Sequence, residues 1–442
     1  MEQEYLPSSV ENIIIGAGIA GITTARLLQD VGEEVVVLEA TDRLGGRIFT
    51  SNDGFEWGAE FIHGDDAATW KYIRQFGLQT EEDGIDTHPY IFEDNEVKVD
   101  NGDYPSCDEM IARIFQRIQT TQQITATAVN KVLEAICFEV DYPAERCEIL
   151  RRAIQSEHGA RLGHLSLRGM MEPSSFGRRN YRLTEGYGAL VDKMGEGVSI
   201  HTETPIERIA WKQGGATVFD KNENSIRAKR VISTIPIGEM HRPTGGRMFS
   251  PALPPEYRKA FSELGAGRVW KIIVELRKQL CPPDMSLLRT SLTTQVWWPV
   301  TGKNGASGMS ALVGPRGIKD FGKSSKRKAR RVALQDLSWM FGEHVAHEVE
   351  AISIIPWARD PYCHTGYSFE RNRGKGSREI LQKPIQDTIY FAGEATVTGT
   401  VAGAIESAER VVAQILNATR KPLTAHLTSP LPSSPDTSSV PA

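Results

Sequence analysis

The stretch Glu11–Thr50 constrains the fold of this 442-residue chain more than any other. It opens with the apolar run Ile13–Ile15, which is typical of a strand buried on both faces of a parallel sheet. Gly16, Gly18 and Gly21 follow in GxGxxG spacing. This spacing supplies a tight turn, a close approach for a pyrophosphate, and close packing of a helix on the strand. Apolar residues then recur with helical spacing, so the N-terminus of that helix would face the phosphates.

A second buried strand is predicted at Val35–Leu38, and it ends at Glu39. Glu39 lies 23 positions after Gly16. This is close to the separation of roughly 20 residues at which dinucleotide-binding units carry a carboxylate that binds a ribose hydroxyl. Strand, helix and distal acid together predict a dinucleotide-binding unit, and they disfavour the alternative of a glycine-rich turn that binds nothing. The fingerprint does not separate NAD from FAD, because sites for both cofactors carry it.

The residues after Glu39 are more selective. Arg43, Gly45, Gly46 and Arg47 add a second glycine pair and two cations. Glycines let a ligand approach the backbone, and arginine can neutralise a diphosphate through two parallel hydrogen bonds. The string VLEATDRLGGR resembles the FAD-binding signature of the flavin amine oxidase family, which includes monoamine oxidases, polyamine oxidases and L-amino acid oxidases. The resemblance implies FAD as the cofactor.

The resemblance extends over nearly all of residues 10–418. The segment FAGEATVTGTVAGAIESAER at 391–410 carries the family's C-terminal signature, and GAEFIHG at 58–64 is similar to spermine and acetylpolyamine oxidases. TPIERI at 204–209 falls where the family's backbone meets the adenine. DPYCHTGYSF at 360–369 is similar to polyamine oxidases and lysine-specific histone demethylases. The arginine with which L-amino acid oxidases bind a substrate carboxylate is not identifiable, which favours a free amine or polyamine.

The chain begins and ends with strand–turn–helix units, so the FAD-binding domain is expected to be discontinuous. The predicted fold is α/β, with a discontinuous Rossmann-like FAD-binding domain and an inserted α+β substrate-binding domain. The predicted divisions are FAD-binding segments at 1–80, 181–245 and 356–420, a mostly helical substrate-binding region at 81–180, a substrate-binding sheet at 246–355, and a disordered tail at 421–442.

Cofactor contacts are implied at both ends of the chain. They are Gly16, Gly18, Ala20, Gly21, Glu39, Ala40, Arg43, Gly45, Gly46, Arg47, Gly58, Ala59, Glu60, Ile206, Gly393, Glu394, Thr400 and Val401. Glu394 would accept a hydrogen bond from a ribityl hydroxyl. The N–H groups of Thr400 and Val401, at the start of the last helix, would stabilise negative charge at flavin N1 and O2. Gly366 stands where monoamine oxidases have a flavin-bearing cysteine, so the FAD is predicted to be non-covalent, with Cys363 nearby.

Three residues are implied as catalytic: Lys271, His63 and Tyr367. Lys271 lies in a predicted strand, where an exposed lysine is the plain alternative. The family keeps a lysine there that reaches flavin N5 through a water, and its charge would assist reoxidation by oxygen. His63 would orient or deprotonate the amine, or is only a hydrogen-bonded structural histidine. Tyr367 matches the first aromatic of the family's amine cage, or is a core tyrosine.

Substrate contacts are expected from Glu60, Trp298, Tyr367 and Thr400. Glu60, with Glu172 as a further candidate, could bind a distal ammonium of a polyamine, although both could be structural carboxylates. Trp298 or Trp297 would line the cavity, although both could belong to the core. Thr400 stands where monoamine oxidases have tyrosine and matches the polyamine oxidases instead.

Composition excludes several other classes. The net charge of −5 leaves no basic footprint for nucleic acid, and the basic run Lys323–Arg331 is expected to be a solvated helix face. Five cysteines, odd in number and scattered, indicate neither a metal site nor a disulfide framework, and favour a reducing, cytoplasmic compartment. No apolar run reaches about 18 residues, so no membrane anchor is expected. The oligomeric state stays open.

The resemblance implies hydride removal from the carbon next to a neutral amine nitrogen. The resulting imine would hydrolyse to an aldehyde and an amine, and molecular oxygen would be converted to hydrogen peroxide. The alternatives are an L-amino acid oxidase or a biosynthetic desaturase, a NAD-linked dehydrogenase, and a flavin-binding module without turnover.

Overall fold

The computed structural model describes residues 7–85, 87–102, 104–120, 129–172, 179–322 and 326–419. The predicted tail at 421–442 lies outside these residues, as does the beginning of the basic run at 323–325. Helices and strands alternate along most of the described chain. The strands are β1 (Ser9–Ile15), β2 (Val35–Leu38), β3 (Ile62–His63), β4 (Thr80–Asp83), β5 (Pro89–Glu93), β6 (Glu96–Val99), β7 (Asn180–Leu183), β8 (Ile200–His201), β9 (Ile206–Lys212), β10 (Gly215–Asp220), β11 (Ser225–Ser233), β12 (Phe249–Ser250), β13 (Leu264–Ala266), β14 (Trp270–Leu276), β15 (Leu287–Thr290), β16 (Val296–Thr301), β17 (Ser307–Val313), β18 (Val349–Ile355), β19 (Ser368–Glu370) and β20 (Ile389–Phe391). The helices are α1 (Ile19–Asp30), α2 (Thr69–Phe76), α3 (Cys107–Thr120), α4 (Val129–Glu139), α5 (Ala144–Glu157), α6 (Leu167–Met170), α7 (Tyr187–Gly195), α8 (Ile237–Met240), α9 (Pro243–Arg247), α10 (Pro255–Glu263), α11 (Pro315–Phe321), α12 (Lys326–Phe341), α13 (Val345–Glu348), α14 (Ser377–Leu381) and α15 (Val401–Thr419).

The first sheet contains strands from both ends of the chain. Its order is β12-β9-β10-β11-β1-β2-β8, with β20 also paired to β11. The neighbours β1, β2, β11 and β20 run parallel. Ile13 and Ile14 of β1 are fully buried because helices or loops cover both faces, as is usual for parallel strands. One face packs on α1 and α15, whose apolar sides share one core. The predicted union of the two chain ends in one sheet is confirmed.

The second sheet is mainly antiparallel, in the order β18-β14-β17-β16-β15-β5-β6. Strands β5 and β6 come from the region predicted to be mostly helical, and β5 joins β15 in parallel. The prediction of a mostly helical region at 81–180 is therefore wrong for its first part and right for its later part, where α3, α4 and α5 bury a separate apolar core. The α/β class with an α+β insertion is therefore confirmed, whereas the exact domain boundaries stay predictions.

The topology positions a site where the two sheets meet. Parallel strands end at a common edge, and ligands of such sheets bind at that edge. Gly16 follows β1, Glu39 follows β2 and Gly393 follows β20, so all three lie along it. Lys271 of β14 and Trp298 of β16 approach the same region from the second sheet.

Candidate active site

The glycine-rich turn has the geometry that its spacing predicts. Gly16 has a φ of 101°, and a Cβ there would lie 2.6 Å from Oγ1 of Thr234. A Cβ on Gly21 would lie 1.9 Å from the carbonyl oxygen of Gly16. Any side chain at Gly21 would therefore push α1 away from β1. Glycine is needed at this position because the helix packs so closely on the strand.

A second pair of glycines completes a cradle beside this turn. The Gly45 N–H donates to the carbonyl oxygen of Ala17 at 2.9 Å, and a Cβ on Gly46 would lie 3.3 Å from Cα of Gly18. The cradle stays open only because these positions lack side chains. Such a surface suits a diphosphate, which needs close contact with backbone N–H groups.

Glu39 and Arg43 are both fixed by local hydrogen bonds. The Glu39 carboxylate is buried and accepts from the backbone N–H groups of Ala17, at 2.7 Å, and Thr41, at 2.9 Å. The Arg43 guanidinium donates to the carbonyl oxygens of Gly46 and Ile48. Arg43 thus braces the glycine loop in addition to lining the cavity, whereas the sequence suggested only direct neutralisation of a diphosphate.

Arg47 and Glu394 join the two ends of the chain in a partly buried ion pair, with Nη1 2.8 Å from Oε1. Burial alone would raise the pKa of Glu394, but the Arg47 cation and a hydrogen bond from Ser368 outweigh it and lower that pKa. Glu394 also accepts from the backbone N–H of Ser368 at 3.1 Å. The carboxylate therefore stays ionised at the cavity wall, where the sequence predicts a ribityl contact.

The common strand edge opens into a cavity of about 920 Å³. Sixteen of the eighteen predicted cofactor residues line it, the exceptions being Gly21, which packs behind the turn, and Glu60. The sixteen are Gly16, Gly18, Ala20, Glu39, Ala40, Arg43, Gly45, Gly46, Arg47, Gly58, Ala59, Ile206, Gly393, Glu394, Thr400 and Val401. The glycine cradle and the volume of this cavity fit a dinucleotide the size of FAD.

A smaller cavity of about 190 Å³ adjoins the large one. Lys271, Tyr367, Gly58 and Thr400 line both cavities, so these residues mark the junction. Glu60, His63 and Trp298 line only the smaller cavity. The predicted catalytic and substrate residues are thus brought together around one space beside the predicted cofactor cavity.

The Lys271 ammonium lies in a buried network at this junction. Its Nζ is 2.5 Å from Oε2 of Glu60 and 3.1 Å from the carbonyl oxygen of Gly58. Oε1 of Glu60 accepts from Trp298 Nε1 at 2.9 Å and forms an ion pair with Arg182 Nη1 at 3.0 Å. Burial would raise the pKa of Glu60, but Lys271 and Arg182 outweigh it and lower that pKa. The alternative of an exposed strand lysine is wrong, because Lys271 is only 4% exposed.

His63 and Tyr367 are each oriented by a partner distant in sequence. Register between β3 and β7 places His63 opposite Asn180, whose Oδ1 is 2.7 Å from Nδ1. The Tyr367 hydroxyl donates to the carbonyl oxygens of Ser156, at 2.9 Å, and Glu157, at 2.5 Å. Both side chains therefore present fixed surfaces to the small cavity.

The structure separates the two tryptophans that the sequence left as alternatives. Trp298 lines the small cavity, whereas Trp297 is fully buried in the core of the second sheet. Glu172 also lines the cavity, but Arg378 binds both of its oxygens at 2.8 Å. Burial nevertheless raises the pKa of Glu172 to about 7. Both Glu60 and Glu172 are therefore already paired with a cation of the protein. A carboxylate that binds a substrate ammonium directly would be expected to lack such a partner.

Sequence reasoning missed His158, Arg182 and Asn180. His158 follows α5 and lines the small cavity, and burial lowers its pKa. Its Nε2 is buried without a hydrogen-bond partner among the described residues. No local sequence motif surrounds these three residues, so only the folded structure reveals them, His158 by its place in the cavity wall and the other two by their contacts with His63 and Glu60.

Within the described ranges, no helix combines the length and hydropathy needed to cross a bilayer.

Comparison with curated proteins finds relatives along most of the chain. Lysine-specific histone demethylase 2 of Homo sapiens is 24% identical over 461 residues, covering 93% of this chain. The chain spans 55% of that protein's length. Polyamine oxidase 4 of Oryza sativa subsp. japonica is 25% identical over 446 residues, covering 91% of this chain and 87% of the oxidase.

Comparison with solved structures confirms the fold. Cyclohexylamine oxidase from Brevibacterium oxydans IH-35A superposes with a TM-score of 0.79 at 18% sequence identity, covering 94% of this chain and all of the other. Residues 19–416 match the family described as flavin containing amine oxidoreductase. The match confirms the predicted family, the FAD cofactor and the class of flavin amine oxidase. This chain belongs to the flavin containing amine oxidoreductase family.

Proposed function

We propose that this protein is an FAD-dependent oxidase of a polyamine or another primary or secondary amine. The product would be an imine, which hydrolyses to an aldehyde and an amine, with hydrogen peroxide formed from oxygen. The observation that carries this proposal is the junction of the two cavities at Lys271, Tyr367 and Thr400. A substrate in the small cavity would there touch a flavin in the large one.

The bound flavin would supply the two-electron acceptor for the C–H bond next to nitrogen. The chain's own task is to position the amine and keep it neutral, since a protonated amine has no lone pair to assist the loss of hydride. Asn180 Oδ1 can only accept, so Nδ1 of His63 donates to it and the ring is held in one orientation. His63 is thereby suited to orient or deprotonate an amine in the small cavity.

His158 supplies a second candidate contact for the substrate. Its ring is neutral near pH 7, because burial lowers its pKa, and its Nε2 has no partner among the described residues. This Nε2 has almost no accessible surface, so it is not placed to receive a hydrogen bond from the cavity. We propose that the ring of His158 forms part of the wall against which a substrate packs.

Charge around the cofactor follows from the chain as well. The N-terminus of α15, at Thr400 and Val401, lines the large cavity. The N–H of Thr400 already donates to the carbonyl oxygen of Thr398 at 2.7 Å, so the positive end of the helix would supply the stabilisation of negative charge at flavin N1 and O2. Lys271, held by Glu60, would do the same for oxygen during reoxidation. We also propose that the FAD is non-covalent and that the protein works in the cytoplasm, the latter resting on its few cysteines.

A peroxide-release screen of the purified protein tests the proposal. The panel contains spermine, spermidine, their acetylated forms, putrescine, aromatic amines and amino acids. We expect peroxide with at least one amine that lacks a carboxylate next to the nitrogen. Peroxide with amino acids alone would instead indicate an L-amino acid oxidase.

A second candidate is oxidation of a methylated lysine side chain, since the similarity to lysine-specific histone demethylases covers 93% of this chain. A peptide containing N-methyl-lysine belongs in the same screen, with formaldehyde measured beside peroxide. Formaldehyde from that peptide, with no peroxide from free polyamines, would favour this second activity over the first.

A further inference from the structure

Two of the five cysteines meet in the helical region, and neither lines either cavity. Cys137 lies near the end of α4 and Cys147 in the first turns of α5, and their sulfur atoms are 2.7 Å apart. Both thiols are free and nearly buried, with 7% and 9% of each residue exposed. The scattering of cysteines in the sequence gave no sign of this pair.

The turn between the two helices holds the sulfurs in register. The N–H of Tyr142 donates to the carbonyl oxygen of Cys137 at 2.8 Å, and the N–H of Cys147 donates to that of Pro143 at 2.9 Å. A disulfide has an S–S length of about 2.05 Å. The two sulfurs therefore need only a small displacement to become bonded, and the backbone already supplies the approach.

The surroundings favour a thiolate on Cys147. Cys137 donates its S–H to Cys147, and the Arg151 guanidinium lies 3.9 Å from the Cys147 sulfur. The hydrogen bond and this cation lower the pKa of Cys147, although burial and Glu148 oppose them. By contrast, burial raises the pKa of Cys281 to about 11. Reactivity toward oxidants follows the thiolate fraction, so Cys147 is distinguished from the other thiols.

We propose that Cys137 and Cys147 form a peroxide-responsive dithiol that converts to a disulfide. The Cys147 thiolate would attack one oxygen of hydrogen peroxide, forming an S–O bond while the O–O bond breaks and hydroxide leaves. Cys137 would then attack that sulfur, forming the S–S bond as the S–O bond breaks. Its proton leaves with the displaced oxygen, so that two thiols and one peroxide give one disulfide and two waters. The inference goes beyond the proposed function and does not depend on it.

Peptide mapping of the full-length protein tests this site directly. The protein is exposed to a rising series of added hydrogen peroxide, quenched with catalase, unfolded, alkylated with iodoacetamide and digested with trypsin. Arg146 lies between the two cysteines, so trypsin separates peptide 132–146 from peptide 147–151. We expect these two peptides to be recovered as a linked pair that has lost two hydrogens, and to separate after reduction with dithiothreitol.

Cys281 and Cys363 provide the internal standard, because burial raises the pKa of each, to about 11 and about 12. The linked pair should appear at a lower peroxide dose than any oxidation of these two thiols. Single variants Cys137→Ser and Cys147→Ser should both lack the linked pair. Oxidation of Cys281 or Cys363 before the pair forms would overturn the proposal, as would conversion of Cys147 to a sulfinic acid in place of the disulfide.

Discussion

Replacing Lys271 by methionine separates the structural role of this residue from its proposed catalytic role. Methionine keeps most of the length of the side chain and removes the charge. In the wild-type protein, Nζ lies 2.5 Å from Glu60 and 3.1 Å from the carbonyl oxygen of Gly58, and both side chains of the ion pair are about 5% exposed. The variant leaves the Glu60 carboxylate buried with fewer partners.

The structure sets the size of the two expected effects. Removing one partner of a buried ion pair costs about 3–5 kcal/mol. Arg182 and Trp298 still contact Glu60, at 3.0 and 2.9 Å, so we expect the lower end of this range. Loss of a preorganised charge beside a developing anion typically slows a step by about 100-fold. Reoxidation of the reduced cofactor by oxygen should slow by that order.

The double variant Glu60→Gln, Lys271→Met is the matched control. It removes both charges, so it should regain part of the lost stability in denaturant unfolding and should not regain the rate of reoxidation. Stopped-flow mixing of reduced protein with oxygen measures that rate. A Lys271→Met variant that reoxidises at the wild-type rate refutes the catalytic role. A double variant no more stable than the single one refutes the assignment of the cost to the unpaired carboxylate.

Three further predictions concern packing, pH and specificity. Gly21→Ala should lower the free energy of unfolding by about 3 kcal/mol or more and weaken FAD retention, because the new Cβ would lie 1.9 Å from the Gly16 carbonyl oxygen. The control Gly163→Ala, at an exposed glycine whose Cβ would meet nothing within 4 Å, should have neither effect. Burial raises the pKa of Glu56 to about 7 in the folded protein. This carboxyl therefore stabilises the fold at a pH below its pKa in the unfolded chain, and the stabilisation is lost as the pH rises through 7. Glu56→Gln should therefore gain about 3 kcal/mol relative to wild type between pH 5 and pH 8 in urea unfolding; equal shifts in both proteins would contradict this. Trp298→Phe should raise KM for the amine by about tenfold (~1.4 kcal/mol), whereas Trp297→Phe should lower thermal stability and leave KM unchanged.

The cofactor half of the site was predictable because its signals are local. Gly16, Gly18, Gly21 and Glu39 occur within one βαβ unit, and their spacing follows from the geometry of a turn and of a helix N-terminus. The C-terminal unit at Gly393 carries a similar local pattern. Their union in one sheet was expected because the chain begins and ends with strand–turn–helix units, and β1 and β20 indeed pair with the two sides of β11.

The substrate half was only partly predictable, since its side chains are paired over long distances in sequence. Period-two alternation places Trp297 and Trp298 on opposite faces of β16 but does not say which face is the core. Glu60 was expected to meet the substrate, and the structure places it in the wall of the small cavity, paired with Lys271 and Arg182. No spacing rule connects residues more than 100 positions apart, so this pairing becomes visible only when the sheets are assembled.

Anaerobic titration of the purified protein with amines shows whether a bound flavin accepts electrons from an amine in the adjoining cavity. If the two cavities hold a flavin and an amine in contact, a polyamine or another amine of the panel should bleach the visible flavin absorption without oxygen, and admission of air should restore it. Flavin absorption that stays unchanged with every amine, or a protein that carries no flavin at all, would contradict the proposed contact between a flavin and an amine.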